Sequence, residues 1–193
     1  ETFQDFEFEF EANHDWPVDS GVLLRQHPIG ALGYQVSVEP RPRGNMGGYF
    51  VNGIGNFRSA PFYVDALELP GFKYTQLSQG IHDSRPFWPL DYAAHFADFL
   101  QIWHPNDWNR FRVRCVGRIP TLTTWINGLK IASLTSAHVR LPSFNPQRAA
   151  AFLGQPGHIG LEVHNSPPTG MGRNRWAPGA LCRWRNLTIQ PLA

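Results

Sequence analysis

Polar side chains alternate with apolar ones along residues 34–39, and the polar positions could carry chemistry. In an extended chain Gln35, Ser37 and Glu39 fall on one face, with a tyrosine and two valines on the other. Arg25 ends a preceding apolar run, where its guanidinium could pair with Glu39 or bind a sugar-like ligand. We therefore take Glu39, Arg25 and Gln35 as candidate site residues. A solvated sheet face with an incidental ion pair also explains this pattern.

Glycines and aromatic residues elsewhere could form the walls of a cleft around these positions. Five glycines lie between positions 44 and 56, and a backbone without side chains can approach a ligand closely. Tryptophans in the later loops could stack on sugar faces, although a tryptophan in a sandwich more often packs in the core. The candidate substrate-binding residues of these segments are Tyr49, Asn52, Trp88, Arg175 and Trp176.

Histidine and aspartate are frequent in residues 82–107, and these side chains could bind a metal ion. Their spacing matches no compact zinc motif, and no cysteine lies among them. Loops supply the oxygen ligands that calcium prefers, so a divalent cation here would more readily be calcium than zinc. The residues concerned are His82, Asp83, Asp91, His95 and His104.

The elements that hold these residues should be β-strands. Residues 3–11 alternate phenylalanines on one face with glutamates on the other, the strongest two-residue period in the chain. Residues 107–134 predict one or two hairpins, with Asn127-Gly128 as a type I′ turn. Seventeen prolines and eighteen glycines favour short strands joined by turns. The prediction is an all-β sandwich with helix only near 93–102 and 146–153.

The bulk properties restrict the class of protein. A chain of 193 residues fits one domain, with 57–107 as a loop-rich insertion, and its abrupt start in a strand-like run suggests an absent upstream segment. A formal charge of +2 with scattered basic residues argues against a nucleic-acid surface. No apolar run reaches the ~18 residues of a membrane span. Cys115 and Cys182 are predicted as reduced thiols rather than a disulfide, and the oligomeric state stays open.

Five segments, taken together and in order, carry a family resemblance. The succession resembles the 3-keto-disaccharide hydrolase domain family of bacteria, whose members show FEF, NSGIFLR, YEVQI, EWNTYEI, WLNGV and GPIGLQDHG in this order. The resemblance covers residues 6–192. The segments are SGVLLR at 20–25, GYQVSV at 33–38, DWNRFRVRCVGRIPTLTTWINGLKI at 107–131, GHIGLEVH at 157–164 and CRWRNLTIQPL at 182–192.

The resemblance implies a fold and an activity. The fold is a concanavalin A-like jelly roll of two antiparallel sheets with a carbohydrate cleft on its concave face, in a secreted or periplasmic bacterial protein. The activity is cleavage of an oligosaccharide or glycoside already oxidised at C3. The C3 ketone acidifies the C2 hydrogen, a base removes it, the C1 substituent leaves by elimination, and water then adds across the double bond.

The family pattern also assigns residues. Arg25 matches the family arginine, Tyr34 the tyrosine, and His164 the histidine that ends the GLQDH element. The resemblance implies His164, Arg25 and Glu39 as candidate catalytic residues, with Glu39 as a base or metal ligand. If the polar row faces the cleft, Arg25, Gln35 and Glu39 should lie within one ligand's reach of His164. The loop at 44–56 and Trp88 should then form the walls. The positions that depart from the family pattern are Gln35, Ser37, Glu39 and Val163.

These departures keep a second class of function open. The alternative is a non-catalytic carbohydrate-binding module, or an interaction domain of a larger exported protein. The chain also lacks the paired carboxylate motif of an ordinary retaining glycosidase, so direct hydrolysis of an unoxidised glycoside is not expected.

Overall fold

Two antiparallel sheets packed face to face form the protein in a computed structural model that describes residues 1–30, 32–81, 87–165 and 174–192. The arrangement is a jelly-roll sandwich, which confirms the predicted all-β class. The strands are β1 (Phe6–His14), β2 (Ser20–Gln26), β3 (Gly33–Val38), β4 (Gly44–Asn52), β5 (Arg58–Ser59), β6 (Tyr63–Asp65), β7 (Glu68–Leu69), β8 (Lys73–Tyr74), β9 (Ser78–Gln79), β10 (Tyr92–Ala93), β11 (Asn109–Val116), β12 (Thr121–Ile126), β13 (Leu129–Thr135), β14 (His158–Val163) and β15 (Cys182–Pro191), and the helices are α1 (Phe96–Ile102) and α2 (Pro146–Leu153).

The first sheet has the strand order β10-β13-β12-β11-β1-β15. Alternation in β1 places Phe6, Phe8 and Phe10 in the core, each at most 1% exposed. Phe10 stacks on Phe111 of the neighbouring strand, with ring centroids 5.0 Å apart. The glutamates of β1 point outward, where they pair with the arginines of β11 and β15. The outer face of this sheet is therefore a ladder of exposed ion pairs.

The second sheet has the order β14-β2-β3-β4-β6-β9, and β5 also pairs with β4. Tyr34, Val36 and Val38 of β3 pack into the core, as their alternation predicts. The polar residues between them therefore point to the outer face of this sheet. Residues 57–107, predicted as a loop-rich insertion, contain the short strands β5 to β10 and helix α1.

The helices and the main hairpin follow local signals in the sequence. Helix α2 begins where Asn145 accepts a hydrogen bond from the Arg148 amide through its side chain, and Pro146 occupies the first turn. Between β12 and β13, Asn127 and Gly128 have φ values of +47° and +89°, as a type I′ turn requires. Both predicted helical regions and the predicted turn are confirmed.

The two cysteines are free, as predicted. Cys115 lies opposite Phe6 and Cys182 lies opposite His14, so the two cysteines flank opposite ends of β1. Eight residues of extended strand separate those ends by about 26 Å, whereas a disulfide needs Cα atoms within about 7 Å. The fold therefore keeps the two thiols apart.

Candidate functional site

Three strands of the second sheet place Glu162, Gly21 and Ser37 side by side on its outer face. Gly21 has no side chain between the other two, and the space is filled by the side chain of Gln35. A Cβ atom at position 21 would lie only 2.8 Å from Gln35 Nε2 and 2.6 Å from the Val36 carbonyl oxygen. Glycine at this position therefore lets the Gln35 amide lie across the sheet between Glu162 and Ser37.

Glu162 is the most unusual carboxyl group on this face. Its side chain is 16% exposed, and Oε2 is buried without a hydrogen-bond partner among the described residues. Burial raises the pKa of Glu162 to about 7, and the charges of Asp19 and Glu39 add to this effect against the opposing effect of Arg175 and Arg58. A carboxyl group with this pKa exchanges its proton near neutral pH.

His164 lies beside Glu162. The two residues are separated by one position in an extended segment, so their side chains fall on the same side, and His164 Nδ1 is 3.8 Å from Glu162 Oε1. The His164 side chain is 45% exposed, and its backbone amide donates a hydrogen bond of 3.1 Å to the Asp19 carbonyl oxygen. An imidazole that is open to solvent can exchange protons with a bound ligand.

Ion pairs between buried or partly buried residues surround this pair. Arg41 Nη2 lies 2.5 Å from Glu39 Oε2, and Arg58 Nη1 lies 3.3 Å from the same oxygen. Asp19 Oδ2 accepts a hydrogen bond of 2.6 Å from Arg175 Nε and contacts Arg175 Nη2 as well. We call this group the charged cluster, and its members are Asp19, Glu39, Arg41, Arg58, Glu162 and Arg175.

The charged cluster and His164 provide the groups that a proton-transfer reaction needs. Glu162 can act as a base near neutral pH, and His164 can donate or accept a proton. The guanidinium of Arg175, whose side chain is 24% exposed, can stabilise negative charge that develops on a bound ligand. Two titratable groups and an accessible cation at one site are typical of acid–base catalysis.

The family model for the 3-keto-alpha-glucoside-1,2-lyase-like domain matches residues 1–190. The chain belongs to this family. Membership makes it a carbohydrate-active protein of the glycoside hydrolase type. No curated protein matches the chain.

Two crystal structures of candidate glycosyl hydrolases from Parabacteroides distasonis ATCC 8503 have a similar fold. The first aligns with 100% of this chain and 80% of its own, at 14% identity and a TM-score of 0.52. The second aligns with 100% of this chain and 74% of its own, at 13% identity and a TM-score of 0.50. The structural similarity supports the sandwich fold. Because the identities are so low, the choice of site residues rests on the geometry of this chain.

Several residues predicted from the family pattern and from alternation do meet at this site. Gln35 and Glu39 lie on the outer face of the second sheet. Glu162 lies on the same face, near Glu39 and beside His164. Arg175, predicted as a substrate ligand, is part of the charged cluster. Trp88 lies next to β5, where its backbone amide donates to the Arg58 carbonyl oxygen at 3.0 Å.

Arg25 is not part of this site, and the ion pair expected between Arg25 and Glu39 is not formed. Its side chain is fully buried and forms an ion pair of 2.8 Å with Asp5 instead of Glu39. The guanidinium also donates to the carbonyl oxygens of Gln4, Gly117 and Leu153. The backbone of Arg25 is left-handed, with φ at +49°, so simple strand alternation does not give its direction.

The structure buries two of the residues that were expected to contact a sugar. Tyr49 is fully buried, donates to the Ala132 carbonyl oxygen and accepts from Thr124, so it serves the core between the sheets. Trp176 is 7% exposed and packs with Val18 in a small apolar cluster. Asn52 ends β4 opposite Gly33, away from the Glu162 row, and its role as a ligand stays a prediction.

The histidine and aspartate residues considered as possible metal ligands do not form a metal site within the described residues. His82 and Asp83 lie outside them. Across residues 1–30, 32–81, 87–165 and 174–192, no three histidine, cysteine, aspartate or glutamate side chains converge as a metal site would require. Asp91, for example, lies 3.6 Å from His138 and accepts a hydrogen bond from the Thr135 amide. In the same part of the chain, no helix is long and apolar enough to cross a bilayer.

Sequence reasoning missed Glu162, Asp19, Arg41 and Arg58. Glu162 had a usable signal, because it precedes His164 by two positions in a strand-like run and must share its face. Arg41 likewise follows Glu39 by two positions. Asp19 and Arg58 had no such signal, because the contacts that bring them to Arg175 and Glu39 span long stretches of sequence.

A buried serine–histidine contact nearby resembles a nucleophile and its base, but its hydrogen bonds exclude that role. The backbone amide of Arg183 donates to His14 Nδ1, so the neutral ring carries its proton on Nε2. Nε2 lies 3.2 Å from Ser20 Oγ, which in turn donates to the Glu162 carbonyl oxygen. His14 therefore donates to Ser20 and cannot accept its proton.

Proposed function

We propose that this chain cleaves glycosides oxidised at C3 by elimination across C1 and C2, followed by hydration. The observation that carries this proposal is the pair formed by Glu162 and His164. Glu162 has a pKa of about 7, and His164 lies 3.8 Å from it on the solvent side. Family membership supports this choice of substrate class. Removal of an acidic C2 hydrogen requires a base of this kind.

The first half of the reaction needs a base and an acid. The Glu162 carboxylate takes the proton from C2, and the electron pair of that C–H bond forms the enolate of the C3 ketone. As the enolate collapses, a double bond forms between C1 and C2 and the C1–O bond breaks. The departing oxygen takes a proton from the His164 imidazolium, so the aglycone leaves as a neutral alcohol.

The second half returns both groups to their starting states. Neutral His164 takes a proton from a water molecule, whose hydroxide adds to C1 of the unsaturated ketone. The electron pair moves through the enolate to C2, which receives its proton from Glu162. The products are the 3-keto sugar and the aglycone, and no oxidant or reductant is consumed.

Arg175 and Glu39 take different parts in this scheme. Asp19 contacts Nε and Nη2 of Arg175, which leaves the Nη1 side of the guanidinium as the donor for the C3 oxygen of the enolate. Glu39 is 1% exposed and contacts both Arg41 and Arg58. Because two cations stabilise its charged form, Glu39 suits a structural role better than that of the base.

The decisive experiment compares an aryl 3-keto-glucoside with the same glucoside unoxidised. We expect release of the aglycone from the 3-keto compound alone, at a rate that rises with pH through about 7 as Glu162 loses its proton. Deuterium at C2 should slow the release, because the C2–H bond breaks in the elimination. Equal release from both glucosides, or no effect of deuterium on single-turnover rates, would contradict elimination.

Replacing Glu162 tests the base directly. Glu162→Gln keeps the shape of the side chain and removes its basicity, so we expect at least a hundredfold loss of turnover, the usual contribution of ~10² to 10⁴ from a general base. Glu9→Gln, on the outer face of the first sheet, is the matched control and should retain full activity. Circular dichroism should show both variants folded.

The same measurements identify the binding-module alternative. The changes at Gln35, Ser37 and Val163 relative to the family pattern favour that alternative. A module without turnover would release no aglycone from either compound, yet its melting temperature would rise in the presence of the sugar. An interaction domain would show neither effect.

A further inference from the structure

Asp19 makes contacts to two different parts of the candidate site. Through its side chain, Oδ2 accepts from Arg175 Nε at 2.6 Å and lies 3.4 Å from Arg41 Nε. Through its backbone, the carbonyl oxygen accepts from the His164 amide at 3.1 Å. Asp19 is only 3% exposed, so its carboxylate is inaccessible to a ligand and acts on other protein groups.

We propose that Asp19 is a positioning residue that holds the guanidinium of Arg175 and the backbone of His164 beside Glu162. The inference rests on the proposed function for the roles of those three residues, and it adds the residue that fixes their arrangement. Nε and Nη2 of Arg175 both contact Oδ2 of Asp19, and two donors held by one oxygen restrict the rotation of the guanidinium more than a single contact would. The backbone contact sets where the chain leaves β14 and hence where the imidazole lies.

Asp19 also acts on Glu162 through its charge. Among the charged neighbours of Glu162, Asp19 has the largest effect and disfavours the charged carboxylate. The other charged or titratable groups around Glu162 come from separate segments, namely Glu39 after β3, Arg58 in β5, Arg175 after β14 and His164 at the end of β14. Removing the charge of Asp19 should therefore make Glu162 a stronger acid.

The test is Asp19→Asn, with Asp15→Asn as its matched control. Asp15 is 6% exposed and also holds an arginine, with Arg183 Nη1 at 2.6 Å from Oδ1. Asp15 is not among the main groups that shift the pKa of Glu162. The readout is the ¹³C NMR titration of the Glu162 carboxyl group, assigned by its loss in Glu162→Gln. We expect the titration midpoint to fall by about one pH unit in Asp19→Asn and to stay unchanged in Asp15→Asn.

Turnover of a 3-keto-glucoside provides the second readout. Asp19→Asn should lower kcat at least tenfold and move the acidic limb of the pH profile downward, whereas Asp15→Asn should do neither. An unchanged Glu162 titration, or equal changes in both variants, would overturn the proposal for Asp19. The titration needs no turnover. If the wild-type protein were inactive and the Glu162 midpoint still fell in Asp19→Asn, the proposed function would be overturned and the role of Asp19 would remain intact.

A measurement on the wild-type protein covers the case in which Asp19→Asn does not fold. Arg175 contacts Asp19 through Nε, whereas Arg183 contacts Asp15 through Nη1 and Nη2. The Nε proton of Arg175 should therefore exchange with water more slowly than that of Arg183. Exchange at the same rate would show that Asp19 does not hold Arg175, and the proposal would fail.

Discussion

Two glutamates on one sheet face show how the surroundings decide what a residue can do. Glu39 contacts two guanidinium groups, and its charge is compensated. Glu162 is partly buried and has carboxylates as well as guanidinium groups around it, so its pKa rises to about 7. Glu39 is paired with two cations, whereas Glu162 changes its protonation state near neutral pH. Only the second has the properties of a general base.

His164 should be needed for turnover and not for folding. His164→Ala removes the proposed acid, so turnover of a 3-keto-glucoside with an alkyl leaving group should fall by about a hundredfold or more. A nitrophenyl glucoside should be affected less, because nitrophenolate leaves without a proton. The free energy of unfolding should change by no more than about 0.5 kcal/mol, since the side chain is largely exposed.

Turnover with both leaving groups and urea denaturation check these expectations together. Equal losses for the two substrates would mean that His164 does not protonate the leaving oxygen. A large fall in stability would mark His164 as a structural residue instead.

At the scale of elements, Arg25 joins the ends of several segments that are distant in sequence. Its guanidinium contacts the N-terminal segment at Gln4 and Asp5, the turn after β11 at Gly117, and the last residue of α2 at Leu153. Asp5 Oδ1 also accepts from the Gly117 amide. One buried side chain thus satisfies three carbonyl groups that no strand pairing reaches.

Replacing Arg25 should destabilise the fold strongly. Arg25→Ala leaves the Asp5 carboxylate without its cation and three carbonyl groups without donors. We expect a loss of about 3 to 5 kcal/mol in the free energy of unfolding, the usual cost of breaking a buried ion pair. Urea denaturation measures it. Arg110→Ala is the control, because Arg110 also pairs with a glutamate but is 65% exposed, and exposed pairs contribute little.

A comparable stability for the two arginine variants would contradict this account of Arg25. If Arg25→Ala remained folded but lost turnover, its original assignment to the active site would be restored.

At the scale of the whole molecule, His14 connects the two sheets. It ends β1 in the first sheet, and its ring contacts Ser20 at the start of β2 in the second. Ser20 donates in turn to the Glu162 carbonyl oxygen in β14. Burial lowers the pKa of His14 from 6.5 to about 4, because a charged imidazole would lose its hydration.

This lowered pKa makes the stability of the molecule depend on pH. Between pH 6.5 and 4 the unfolded chain binds a proton at His14 and the folded protein does not, so stability falls as the pH falls through this range. Over this whole range, protonation of His14 in the unfolded chain lowers the free energy of unfolding by about 3 kcal/mol. Above and below the range His14 causes no further change. Urea denaturation at a series of pH values measures the slope.

His14→Gln should retain a hydrogen-bond donor and lose the titration, so its slope between pH 6.5 and 4 should be shallower than that of the wild type. His138→Ala is the control, because His138 is 65% exposed and its replacement leaves the slope that His14 produces in place. Identical slopes for His14→Gln and the wild type would show that His14 does not titrate on unfolding.

Local patterns in the sequence determined the elements and much of the polar face. The alternation in β1 and β3, the Asn127-Gly128 turn and the Asn145 cap each act over a few neighbouring residues, so they were predictable. The same alternation placed Gln35 and Glu39 on one face of β3. The ordered motifs identified the family and drew attention to His164.

Tertiary structure alone decided which of these residues work together. Arg25 was predicted beside Glu39, yet its left-handed backbone turns its side chain toward Asp5. Asp19 meets Arg175 across more than 150 positions of the chain, a contact that no periodicity encodes. The pKa of Glu162 likewise depends on burial and on charges from separate segments, because electrostatic energies follow distance in space and solvent exposure rather than sequence spacing.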